Sequence, residues 1–112
     1  MVSAALEQCL AHYASSTVPA KDLERAAVKE VLAKVSAKAP GKSVELRIPP
    51  YAAVQVVAGP NHRRGTPSAV VEMNAATLLL MAAGKLTWDE AVRNGTVIAS
   101  GERSNLSNLF PC

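Results

Sequence analysis

The chain has 112 residues, of which 49% are hydrophobic and 19% charged, a composition typical of a folded globular domain that excludes a chain disordered throughout. Its formal net charge of +3 permits an anionic ligand but does not predict nucleic-acid binding. Only 4% of the residues are aromatic, so the core must be built mainly from small aliphatic side chains.

The sequence shows no membrane-spanning or secretory segment. Its longest uninterrupted apolar run, 78–83, is far short of the roughly 18 residues that a membrane helix needs. The first residues contain Glu7 and no basic start, unlike a signal peptide. We therefore expect a cytoplasmic protein without stable membrane insertion, in which Cys9 and Cys112 are reduced thiols.

No cofactor or nucleic-acid partner is expected. The only histidines are His12 and His62, and the CxxC and HxxxH spacings are missing, so the sequence does not predict a zinc site. The GxGxxG and GxxxxGK[ST] loops that cradle phosphates are also missing. Arg63 and Arg64 form too short a basic run for nucleic acid, and no aromatic residues alternate with them.

Two helices are predicted in the N-terminal third. Residues 3–14 are typical of a short helix that ends at the serines and proline that follow. Residues 20–38 predict the main N-terminal helix, because apolar residues recur at every fourth position. Their stripe consists of Leu23, Ala27, Val31 and Val35.

Two strands are predicted after the helices. Apolar and charged residues alternate over 44–48, the pattern of a half-buried strand. A second strand is expected over 52–58, with Val54 and Val56 on one face and Val57 on the other.

A loop, a third strand and a helix are predicted next. Residues 59–68 hold two glycines and two prolines, which indicates a loop or a wide connection. Residues 69–73 predict a strand. Asn74 is a favourable N-cap for a helix that runs through Ala83, and Gly84 is a favourable C-cap.

The last part of the chain predicts one more helix and one more strand. Thr87 and Glu90 have the spacing of a capping box, so a helix is expected to start there and to end at 94–95. Residues 97–99 predict a short strand that turns at 100–101.

This order of helices, strands and helices around a last strand is typical of an α+β fold. We expect a single domain over 1–112. Its N-terminal helices would lie within 1–38, its strands within 44–73, and its remaining helices and last strand within 74–112.

Four segments carry a resemblance to a known family. They are RIPPYAAVQ at 47–55, GPNHRRGTPSAVVEMN at 59–74, the helix with Trp88, and ASGERSNLS at 99–107. In this combination the chain from 44 to 112 resembles the small actinobacterial sterol-carrier-protein-like family, which has the sterol carrier protein 2 fold.

The resemblance implies a twisted, mostly antiparallel sheet of about four or five strands, covered by helices on one face with an apolar tunnel between the layers. In the wider superfamily the domain binds sterols or fatty acyl chains, or is attached to enzymes. The chain departs from the family at Asn74 and near Asn105, where acidic residues are common. One fold hosts many functions, so the resemblance implies the fold more firmly than the function.

An apolar ligand site is the first functional hypothesis. Leu78 to Met81 are consecutive apolar residues on one helix, and such a helix is either fully buried or lines a cavity. The sequence does not decide whether this helix is buried in the core or lines a cavity. It also does not decide whether Trp88 packs in the core or stacks on a ligand. The expected apolar lining consists of Val54, Val56, Val70, Leu78, Met81, Trp88 and Phe110.

A polar anchor is the second hypothesis. Arg47 and Arg64 are the best candidates, because arginine is always charged and binds carboxylate or phosphate through two hydrogen bonds. Glu72 lies near them and belongs to the same candidate site. The alternative is a solvated loop in which Arg64 pairs with Glu72.

Three functions follow, in order of preference. The first is a non-enzymatic carrier of a lipid or another hydrophobic small molecule. The second is an interaction module without a cavity, in which the alanine-rich N-terminal helix pairs with a partner or with a second copy in a homodimer. The third is a small enzyme that uses His62, Arg64 and Glu72. It is disfavoured because no spacing predicts an oriented base for a serine or threonine nucleophile.

Overall fold

The computed structural model describes residues 3–59, 69–101 and 103–112. Within them the chain forms four α-helices, four strands and a 3-10 turn. In chain order these are α1 Ala4–Ala14, α2 Lys21–Lys38, β1 Val44–Ile48, β2 Ala52–Val56, β3 Ala69–Met73, α3 Ala75–Ala82, α4 Trp88–Arg93, β4 Val97–Gly101 and the 3-10 turn Ser107–Leu109.

Helices α1 and α3 each start at a side chain that caps the helix. Ser3 Oγ accepts the N–H of Leu6 at 3.1 Å and caps α1. Asn74 Oδ1 accepts the N–H of Thr77 at 2.9 Å, which confirms Asn74 as the N-cap of α3. The apolar stripe predicted for α2 is confirmed in large part, since its buried residues are Ala27, Val28, Val31, Leu32 and Val35.

The strands form one mixed sheet in the order β2-β1-β3-β4. β1 pairs antiparallel with β2 and parallel with β3, and β3 pairs antiparallel with β4. Antiparallel pairing therefore dominates, as expected. The predicted α+β class is confirmed, and the described residues form four of the four or five strands expected.

The helices cover one face of this sheet. Val44, Leu46 and Ile48 of β1 have no exposed surface and form the core with apolar residues of the helices. Side chains alternate along a strand, so Glu45 and Arg47 lie on the opposite face. We call this the open face. Register also places Gln55, Val70, Glu72 and Ile98 there.

The second strand is shorter than predicted. It ends at Val56, and the expected extension to residue 58 is wrong. Val57 has a φ of 68°, a left-handed conformation that an extended strand cannot contain. Its N–H donates to the carbonyl of Ala39 at 2.8 Å, so a bond to the end of α2 replaces the sheet bond.

The last strand is longer than predicted. The expected turn at Ser100 and Gly101 is wrong, because these residues pair with Val70 and Ala69 of β3. Pairing with a neighbouring strand outweighs the low intrinsic strand preference of serine and glycine. None of the helices in the described ranges is long and apolar enough to cross a membrane.

Candidate functional site

A pocket of about 330 Å³ lies between the α3–α4 turn and the C-terminal residues. We call it the C-terminal pocket. Its volume lies at the small end of the range for small-molecule sites. Its apolar lining consists of Met81, Leu86, Trp88, Phe110 and Pro111. Its polar lining consists of Thr87, Asp89 and Ser107.

The turn between α3 and α4 positions Trp88. Gly84, with a φ of 76°, reverses the chain after α3 in a conformation that glycine adopts without strain. Thr87 Oγ1 then accepts the N–H of Glu90 at 3.1 Å, and Glu90 Oε1 accepts the N–H of Thr87 at 3.0 Å. These bonds lower the pKa of Glu90. The predicted capping box is confirmed, and it places Trp88 in the first turn of α4, 7% exposed.

The C-terminal residues form the opposite wall. The N–H of Cys112 donates to the carbonyl of Ala82 at the end of α3, at 3.0 Å. Lys38 Nζ, at the end of α2, donates to the carbonyls of Leu109 and Pro111 at 3.3 and 3.5 Å. These three bonds hold the half-buried side chain of Phe110 beside the turn.

The pocket has an apolar interior and a polar rim. Met81 has no exposed surface and forms its inner wall. Thr87 and Asp89 are exposed and lie at the rim. This arrangement suits a molecule with an apolar part that enters and a polar end that stays near water.

A model of the family described as bacterial SCP orthologues matches residues 20–112. The chain belongs to this family. The matched span contains all the described residues that line the C-terminal pocket, whereas α1 lies outside it. The predicted resemblance is confirmed at the level of the family. The actinobacterial origin stays a prediction.

Among solved structures, the chain is similar to sterol carrier protein 2 like 2 from Aedes aegypti. The two share 16% sequence identity with a TM-score of 0.47 over 76% of this chain and 94% of that one. A comparison with curated proteins found no match.

The structure brings three of the predicted lining residues together, namely Met81, Trp88 and Phe110. Val56 and Leu78 have no exposed surface and belong to the hydrophobic core. Val54 lies beside them, half-buried, on the helix-covered side of β2, whereas Val70 lies on the open face. The tunnel that the resemblance implies between sheet and helices stays a prediction.

The predicted polar anchors lie elsewhere. Arg47 and Glu72 are neighbours in register on β1 and β3, on the open face. Arg47 forms an ion pair with Glu45 of the same strand. Arg64 and His62 lie outside the described residues, so the structure does not place the proposed catalytic group of His62, Arg64 and Glu72. Within the described ranges, no group of three His, Cys, Asp or Glu side chains could hold a metal ion.

A second apolar depression lies between α1 and α3. It has a volume of about 360 Å³ and is called the α1–α3 groove. It is lined by Leu10, Ala11, Tyr13, Ala14, Leu80 and Lys85. Leu80 and Met81 are consecutive on α3 and line the two different sites.

The sequence did not predict one polar cluster that the structure contains. Tyr13 on α1 donates its hydroxyl to Glu24 Oε2 at 2.5 Å, and Tyr51 donates to Glu24 Oε1 at 2.6 Å. The guanidinium of Arg25 lies 5.7 Å from the centre of the Tyr51 ring. Burial, and then the bond to Glu24, raise the pKa of Tyr13. We call Tyr13, Glu24 and Tyr51 the tyrosine clamp. Its members are far apart in the sequence, and no local spacing signals their contact.

Proposed function

We propose that the chain binds an apolar small molecule, or the apolar part of a lipid, in the C-terminal pocket and carries it without chemical change. The observation that carries this proposal is the convergence of Met81 with the only tryptophan and the only phenylalanine of the chain on one pocket. Membership of the bacterial SCP family supports it.

The energy of binding would come from removal of apolar surface from water. This contributes about 25 cal/mol for each Å² buried. The thioether of Met81 and the rings of Trp88 and Phe110 offer adaptable contacts to a flexible alkyl chain. With a volume of about 330 Å³, the pocket suits one alkyl chain better than a large branched lipid.

Trp88 provides a direct test, because it is the only tryptophan and it lines the pocket. The probe is dodecanol, added below its solubility limit while tryptophan emission is followed. We expect a saturable change in tryptophan emission, because the ligand would contact the indole of Trp88, and a one-to-one adduct in native mass spectra. The absence of both the change in emission and the adduct would overturn the proposal.

Truncation variants locate the site. Phe110→Ala removes apolar wall from the C-terminal pocket and should weaken dodecanol binding on the order of tenfold. Leu10→Ala is the matched control, since Leu10 lines the α1–α3 groove and does not line the C-terminal pocket. It should leave the affinity unchanged. If Leu10→Ala weakens binding and Phe110→Ala does not, the ligand lies in the groove instead.

We propose no catalytic role for the one described member of the predicted catalytic group. Glu72 is exposed on the open face, away from the C-terminal pocket.

The homodimer through the N-terminal helix has weaker support. The apolar stripe of α2 is already buried in the core of its own chain, so it is not available to a second copy. Sedimentation velocity over a range of concentrations measures the oligomeric state. The carrier proposal requires only the monomer.

A further inference from the structure

We infer that the C-terminal pocket selects ligands whose polar end donates hydrogen bonds or carries positive charge, and rejects ligands that end in a carboxylate. This inference rests on the proposed function of the pocket. It concerns the charge at the rim, which the apolar lining does not determine.

Among the described residues that line the pocket, Asp89 has the only ionisable side chain. It is exposed, at the second position of α4, next to Trp88. Within the described parts of the chain, no lysine, arginine or histidine forms an ion pair with it. A ligand ammonium or hydroxyl could therefore bind to this carboxylate, whereas a ligand carboxylate would be repelled.

The end of α3 adds partial charge of the same sign. Met81 and Gly84, which line the pocket, lie in the last turn of α3 and just beyond it. The C-terminal end of a helix carries the negative end of its dipole. The effect is small, because the carbonyls of Leu79, Met81 and Ala82 already accept hydrogen bonds. The start of α4 at the same rim carries the opposite partial charge, so the two helix ends offset each other and the Asp89 carboxylate sets the sign of the charge at the rim.

No described lysine, arginine or histidine is among the residues that line this pocket. Lys38 Nζ is engaged by the carbonyls of Leu109 and Pro111 and does not line the pocket. Arg47 lies on the open face of the sheet and pairs with Glu45. The rim therefore offers the Asp89 carboxylate, which only accepts hydrogen bonds, and the hydroxyls of Thr87 and Ser107, which can accept or donate them.

Three probes with the same alkyl chain isolate the effect of the polar end. They are dodecylammonium, dodecanol and dodecanoate, each kept below its micelle concentration at neutral pH. Affinities are measured by calorimetry, and Trp88 emission reports that the site is the pocket. We expect dodecylammonium to bind most tightly, dodecanol next and dodecanoate least. The ratio between the two charged probes should be on the order of tenfold, since exposed charge pairs contribute modestly.

Asp89→Asn keeps the shape of the side chain and removes its charge. It should reduce the ratio between the ammonium and carboxylate probes to about twofold or less. Glu72→Gln is the control, because it removes the same net charge from the open face. It should leave the ratio unchanged. Added salt should also reduce the ratio in the unmodified protein.

The outcomes separate the two proposals. If dodecanoate binds as tightly as dodecylammonium, the charge selection is wrong while the carrier function stands. The selection by Asp89 is also wrong if Asp89→Asn and Glu72→Gln change the ratio equally. If none of the three probes binds, the carrier proposal fails and this inference fails with it.

Discussion

Tyr13 and Tyr51 donate their hydroxyls to the two oxygens of the same carboxylate, that of Glu24, at 2.5 and 2.6 Å. Tyr13 lies on α1, Glu24 on α2, and Tyr51 in the turn between β1 and β2. The clamp therefore joins α1, which lies outside the matched family residues, to the rest of the fold.

Removal of the clamp carboxylate should destabilise the protein. We expect Glu24→Ala to lower the free energy of unfolding by about 1 to 2 kcal/mol, because two tyrosine hydroxyls lose their acceptor. Urea unfolding measures this change. Glu30→Ala, an exposed glutamate on the same helix, is the control and should change the value by less than about 0.5 kcal/mol. Equal effects of the two variants would contradict the clamp.

Both tyrosines should lose their phenol protons at a higher pH than a free tyrosine does. The chain has two tyrosines and both belong to the clamp, so phenolate absorbance reports the clamp alone. The bond to Glu24, followed by burial, raises the pKa of Tyr51 to about 12 from 10.0. Burial first, and then the same carboxylate, raise the pKa of Tyr13. We expect little phenolate at pH 10 in the folded protein. Half-titration of both tyrosines at that pH would contradict this.

The same shift predicts a loss of stability in alkali. The folded state holds both tyrosines neutral at pH values where the unfolded chain releases its protons. The stabilisation by the clamp is therefore fully present below about pH 10 and declines as the pH rises through about 12, the folded pKa of Tyr51. Urea midpoints measured across this range test the sign. The decline should be smaller in a Tyr51→Phe variant, which has one fewer phenol to titrate.

The two thiols should react at different rates. Cys9 has no exposed surface, and burial followed by the nearby Glu24 raises the pKa of its thiol. Cys112 is half-exposed, and Lys34 and Lys38 oppose the effect of burial on its pKa. An aromatic disulfide reagent at neutral pH should therefore modify Cys112 first. Faster modification of Cys9 would contradict the packing of α1.

The Cys9 thiol also reports the opening of α1. In a Cys112→Ser background only Cys9 remains to react. We expect Tyr13→Phe, which removes the bond of α1 to Glu24 but keeps the carboxylate that raises the Cys9 pKa, to accelerate its modification by up to about tenfold, because ~1.4 kcal/mol less opening free energy is a factor of ten. An unchanged rate would show that the clamp does not hold α1 closed.

The hydrogen bonds of Lys38 should matter for ligand binding. Lys38→Met keeps the aliphatic stem and removes the donor to the carbonyls of Leu109 and Pro111. The wall that holds Phe110 should loosen, and dodecanol affinity should fall by about threefold to fivefold. Lys34→Met, one turn earlier on α2, is the control with the same loss of charge. Calorimetry measures the dodecanol affinity of both variants. Equal losses of affinity would show that the lost charge, and not the lost hydrogen bonds, causes the effect.

Local signals predicted most of the elements. The caps at Asn74 and Thr87 form within a few residues, so their hydrogen bonds follow from adjacent sequence. The two errors in strand length, at Val57 and at Ser100, have non-local causes. Val57 bonds to the end of α2, and Ser100 pairs with β3.

The candidate site was predicted only in part, because the apolar residues of a core and of a pocket look alike in a sequence. Leu78 and Met81 lie on one helix and both have no exposed surface, yet only Met81 lines the C-terminal pocket. What separates them is the position of the C-terminal residues, which is held by Lys38 and Ala82.

The sequence by itself determined the α+β order of elements, the helix caps and the apolar stripe of α2, because each depends on periodicity or on bonds between near neighbours. Only the tertiary structure decided the two sites. The C-terminal pocket and the tyrosine clamp join residues from separate elements, such as Met81 with Phe110 and Tyr13 with Tyr51. Such contacts depend on how the helices pack on the sheet. The spacing of residues along the chain does not determine which of them meet across separate elements.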